Sequence, residues 1–244
     1  MAKKRKASEA ALIRGHLLKA LEFLTRSPQV GTYAKTLRHS CTTAQPSLQG
    51  SNENTWRLTM APWTFELSGA GRRGQQDCSK IVMGAVIQTD GGRLLHQTVP
   101  ICVVTRPRCF SHGPPWCKQP AGQDGEAATR RLHFDYDANV TRWPKHHLQI
   151  GGNPRELTAA GSYYYAVAED PSEPRVPAPS LDVVLALDLV MREFDTGLDL
   201  PQEPGWRKLV IRSEELSLKP YFEVAHKELG RSNRESPLIE HLSQ

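Results

Sequence analysis

Paired cysteines are missing from this chain. Its five thiols stand at 41, 78, 102, 109 and 117, an odd number without the short paired spacings of a disulfide framework, so a reducing cytoplasm is the expected compartment. Long apolar runs are missing too. No stretch reaches the roughly 20 residues that cross a bilayer. The basic start is followed by an amphipathic segment, Ala10–Leu24, and not by the uninterrupted apolar core of a secretory signal. A membrane role is therefore not expected. A large charge excess is also lacking: of the formal net charge of +5, four positive charges lie in Lys3–Lys6, and the rest of the chain is close to neutral. No internal repeat and no H-E-x-x-H metal motif occurs.

What is present is a globular composition. With 244 residues, 39% hydrophobic and 23% charged, the chain can bury one sizeable core, and 18 glycines with 18 prolines mark it as rich in loops. Residues 1–8 read as a disordered basic tail, which could alternatively touch nucleic acid. Residues 9–230 read as a single α+β domain with a Pro/Gly-rich loop at 106–127, and residues 231–244 as a frayed tail.

Ser8 caps a predicted helix from Glu9 to about Arg26, where Leu17, Leu21 and Leu24 recur near the helical period and Ser27-Pro28 supplies a stop. Residues 29–54 read as connecting loop with at most a short helix near 35–39. Strands are expected at Thr55–Met60, Thr64–Leu67, Lys80–Thr89 and Leu94–Thr105, with Asp90-Gly91-Gly92 turning a hairpin. Two more are expected at Arg130–Tyr136 and His146–Ile150, and a further one at Gly161–Ala168.

Prolines then break the chain over Pro171–Pro179, and Ser180 opens a helix reaching Phe194 with one apolar stripe. Its charges Asp182, Asp188, Arg192 and Glu193 read as a solvated face without chemistry. Helix is expected again from Pro204 and through Ser217–Leu229, with Pro220 in a first turn. Glu214, Glu215, Lys208, Arg212 and Lys219 read as ordinary surface. The predicted fold is α+β, a mainly antiparallel sheet with N-terminal and C-terminal helices packed on one face.

The residues that could carry chemistry gather in the segment 132–152. Period-two alternation puts Leu132, Phe134 and Tyr136 on one face of a strand, and His133, Asp135 and Asp137 on the other. On the next strand it separates His146 and Leu148 from His147 and Gln149. His147 is the imidazole expected to face Asp135, which would orient it as a general base or as a nucleophile towards phosphorus. Asp137, His133 and His146 would assist, and Gly151-Gly152 could let a phosphate reach backbone amides. A divalent metal on His133, Asp135, His146 and His147 is an alternative, and a hydrogen-bonded polar sheet surface is another. Cys102, Cys109, His112 and Cys117 lack zinc-finger spacing, and Cys102 reads as core. Tyr163, Tyr164 and Tyr165 could stack on bases but fit core and rim packing better.

His147-Leu148-Gln149 is similar to the His-x-His-x-Gln motif of histidine-triad nucleotidyl transferases, with Lys145 in the place of the first histidine. Arg131–Asp137 followed by Trp143-Pro-Lys-His-His-Leu-Gln-Ile-Gly-Gly152 resembles the core of small TumE-type bacterial toxins and related longer bacterial proteins, with Gln149 in place of the last histidine. That resemblance implies a cytoplasmic toxin–antitoxin, mobile-element or phage-defence protein acting on RNA or nucleotides, with the reaction unspecified; a ribonuclease and a nucleotidyl transferase or hydrolase are the candidate activities. His147 would then be base or nucleophile, Asp135 its orienting group, and Gln149 and Lys145 contacts to substrate. A protein partner such as an antitoxin is implied as well. The alternative expectation is a non-catalytic subunit or adaptor that binds RNA or DNA.

Overall fold

The computed structural model describes residues 7–27, 49–67, 78–105, 127–140, 145–150, 175–194 and 196–230. Residues 1–6 and 231–244 of the predicted tails, the short helix near 35–39, most of the 106–127 loop, the strand at 161–168, Gly151, Gly152, Cys109, His112 and Cys117 lie outside the described residues.

Among the described residues, seven strands form one antiparallel sheet in chain order: β1 Gln49–Asn52, β2 Thr55–Glu66, β3 Cys78–Asp90, β4 Arg93–Thr105, β5 Ala127–Asp137, β6 His146–Ile150 and β7 Arg175–Pro177. The α-helices of the described residues are α1 Glu9–Arg26, α2 Val183–Glu193, α3 Pro204–Ser213 and α4 Lys219–Leu229. The fold is thus the α+β arrangement expected. No helix among the described residues is long and apolar enough to cross a membrane.

Alternation assigns the two faces of the sheet. Leu58, Met60 and Phe65 of β2 stand beside Ile87, Ala85 and Ile81 of β3, and the row continues through Val99, Ile101 and Val103 of β4 to Phe134 of β5. All of these are buried in one cluster with Leu17, Ala20 and Leu24 of α1, Val184, Leu187 and Val190 of α2, and Trp206 of α3. The helices therefore cover this face, and apolar burial is its main driving force.

Local chemistry fixes the elements. Ser8 caps α1 by accepting from the Ala11 N–H at 3.2 Å, and the Ala10 N–H donates to the Gly92 carbonyl at 3.0 Å, tying the helix start to the hairpin. Gly91 and Gly92 have φ of 55° and 86°, the two positive values that a two-residue hairpin turn between Asp90 and Arg93 demands. β2 runs unbroken where two strands were expected. Its register shifts between Met60 and Trp63, a bulge that admits Pro62 within the strand.

Several expectations need correction. β1 lies in a stretch read as loop, and β7 in a stretch read as proline-broken. Both pair at the sheet's ends, β1 with β2 and β7 with β6. Ser180 does not cap α2; Asp182 does, its Oδ1 accepting from the Leu185 N–H at 2.9 Å. Nor are Asp182 and Asp188 solvated: both are buried. The C-terminal helix does not stop and resume. It continues from α3 into α4 through a π-turn at Glu214–Leu218, where the Lys219 N–H reaches back to the Glu214 carbonyl. Pro220 explains the turn, because its ring would crowd the carbonyl four residues earlier and the wider coil relieves that contact.

Candidate functional site

The two adjacent histidines separate as alternation predicts. His147 shares a cross-strand row with Asp135, Thr98 and Val86, on the face away from the helices. His133 pairs with Gln149 in the next row of that face. His147, His133 and Gln149 are all buried. Asp137 stands beside His96, and its Oδ1 accepts from the Asn139 N–H at 2.9 Å, which shapes the turn leaving β5.

His147 Nε2 lies 3.5 Å from Asp135 Oδ2. Burial alone would push the Asp135 carboxyl up, but hydrogen bonds from His147 and Thr98, with the nearby His133 ring, hold it below the usual carboxylate range. The two side chains expected to face each other are therefore in contact. It is a buried pair, with the His147 side chain only 3% exposed. Removing one partner strands the other, so Asp135→Ala is expected to cost about 2 kcal/mol in urea unfolding. Stability equal to the parent would contradict a working pair.

His146 faces the other way, into a cavity of about 310 Å³ between the sheet and the helices. Gln97, Tyr136, Lys145 and His146 line it from the sheet side, Glu9 and Ile13 from α1, Ser180 and Asp182 from the segment entering α2. Leu216, Ser217 and Tyr221 close it from the π-turn and α4, so the widened coil contributes directly to the wall. Its size lies at the low end of small-molecule pockets, about 300–1,000 Å³.

The protonation state of His146 follows from its neighbours. Its Nδ1 lies 3.0 Å from Ser180 Oγ, and the Ser180 hydroxyl donates to the Asp135 backbone carbonyl at 2.7 Å. One hydroxyl proton cannot serve both partners, so Ser180 Oγ accepts from Nδ1–H and the neutral ring keeps its lone pair at Nε2. Burial, reinforced by His147 and Lys145, pushes the imidazole down to about 4. Two phenol rings flank it: Tyr136 with a centroid 4.6 Å away, and Tyr221 edge-on at 5.5 Å.

Two carboxylates complete the lining. Asp182 Oδ2 accepts from the Ser217 hydroxyl at 3.1 Å, and Glu9 Oε2 accepts from the Leu94 N–H at 3.2 Å. Lys145 is the one cation among the described lining residues. Two carboxylates, one cation and two phenols thus surround the His146 ring. Of the described residues expected to act, His146 and Lys145 alone line this cavity. Tyr136, Ser180, Asp182 and Tyr221 were not expected to. Among the described residues, no three His, Cys, Asp or Glu side chains converge to hold a metal ion.

Compared with known protein families, curated proteins and solved structures, the chain matches none.

Proposed function

We propose that the cavity receives a nucleobase-sized heterocycle, carried by a nucleotide or an RNA strand, and that His146, not His147, is the residue that meets it. The observation that carries this reading is the neutral His146 ring, its Nδ1 committed to Ser180 and its Nε2 left as an acceptor between Tyr136 and Tyr221. A flat ring bearing N–H donors complements those acceptors and stacks on phenol faces. Asp182 and Glu9 favour the same donors, and Lys145 suits a phosphate attached to the base. The toxin or defence setting is supported by the likeness of residues 131–152 alone.

Calorimetric titration with the four nucleoside monophosphates and a short RNA tests the reading. His146→Ala is expected to weaken binding about tenfold or more, the worth of one buried hydrogen bond and a ring contact. His147→Ala is expected to leave it nearly unchanged. No nucleotide binding, or equal binding by His146→Ala, would contradict the proposal.

A second reading, a binding subunit without catalysis, is favoured by the burial of His147 and by the low basicity of His146, since a general base works best near the operating pH. Turnover separates the two. Incubation with RNA, DNA and nucleotides, with and without divalent metal, yields products only if the protein is an enzyme.

A further inference from the structure

We infer that the groove between α1 and α3 is a docking site for an acidic amphipathic helix of a partner protein. The two helices run antiparallel. Phe23 meets Trp206 with ring centroids 6.1 Å apart at one end, and His16 Nε2 bonds Ser213 Oγ at 2.7 Å at the other. Gly205 permits the approach, because a Cβ there would strike the Phe23 ring.

The groove that remains outside this contact has a volume of about 500 Å³. Its floor is apolar, made by Ala11, Leu12, Gly15 and Leu209, and its rim carries Lys19, Lys208 and Arg212. No carboxylate lines it among the described residues. Arg212 reaches Glu215 beyond the groove in an exposed ion pair, which leaves Lys19 and Lys208 as the principal charges. Leu12 is 37% exposed, and beyond the helix's own backbone no atom lies within 4 Å of where a Gly15 Cβ would stand.

Length, floor and rim choose the occupant. From residue 11 to residue 23, α1 offers about 18 Å at 1.5 Å per residue, enough for three turns of a guest helix. An apolar stripe at helical spacing would fill the floor, and flanking Asp or Glu would meet the rim. An RNA strand fits less well, because the aliphatic floor supplies neither stacking rings nor N–H donors for phosphates.

The test uses the full chain and fluorescence anisotropy with a labelled helical peptide of about four turns, leucines on one face and glutamates beside them. A matched peptide has lysine in place of glutamate. The glutamate peptide is expected to bind, and the lysine version about tenfold more weakly or less. The double variant Lys19→Glu with Lys208→Glu is expected to reverse that preference. Gly15→Leu should abolish binding while the Tm holds or rises, since leucine is the better helix former and its Cβ meets no atom beyond the helix's own backbone. Failure of the glutamate peptide to bind, equal binding of both peptides, full binding by Gly15→Leu, or displacement of the peptide by a short RNA would each overturn the inference.

Discussion

Acidification from pH 6.5 to pH 4 is expected to strip roughly 3 kcal/mol of stability from the protein through His146 alone. Folding holds this imidazole neutral down to about 4, below its ordinary 6.5. The unfolded chain therefore takes up a proton in that window that the folded chain refuses. Stability from the neutral ring is complete above pH 6.5, falls as pH drops, and levels off near 4. His16, lowered chiefly by burial and further by Arg212 and Lys19 against the pull of Asp182, adds to the slope in the same direction. The difference between parent and His146→Phe isolates the share of His146, since phenylalanine keeps the tilted ring contact with Tyr136 and cannot titrate. Urea unfolding at several pH values should give a clearly shallower slope for the variant. Parallel slopes would mean that the ring is already protonated or already solvated in the folded state.

Asp188→Ala is expected to destabilise the fold by about 3 kcal/mol, within the range for stranding a buried donor and losing a second bond. Asp188 Oδ1 accepts from Trp206 Nε1–H at 2.8 Å, and Oδ2 accepts from Arg192 Nε at 2.6 Å. Trp206 is fully buried, so its indole N–H has no water to turn to when the carboxylate is removed. The Arg192 pairing is half-exposed and adds little. Asp188→Asn separates these contributions. Its amide oxygen still accepts from Trp206, and the expected loss falls to about 1 kcal/mol. Chemical unfolding of both variants checks the pair, and equal losses would place the stabilisation in the charge and not in the indole bond.

The face assignment of the central segment was legible because Phe134, Leu148 and Tyr136 mark one side of a pleat whose period is two. The same rule that placed His147 with Asp135 also put His146 on the opposite, helix-covered face. What stayed hidden was the value of that face. Tyr221 and Ser217 reach His146 and Asp182 only through the π-turn. In the sequence Asp182 and Asp188 read as solvated because charge on a helix usually is, and their partners Ser217 and Trp206 lie in later elements. β1 and β7 escaped for another reason: Gln49–Asn52 carries no apolar residue and Arg175–Pro177 is short, so their backbone pairing with β2 and β6 leaves no periodic signal. The start of α1 was readable to the residue and its end nearly so, since its cap and its stop are both local.

The central claim is that His146 is a neutral acceptor at the wall of a ligand cavity. Nitrogen-15 NMR of the histidine rings at neutral pH, during titration with nucleoside monophosphates, tests it most directly. The account predicts that His146 begins with Nδ1 protonated and Nε2 bare, and that a binding nucleotide shifts the His146 Nε2 resonance while the His147 ring stays nearly still. A His146 ring that begins doubly protonated, or a nucleotide response confined to His147, would contradict it.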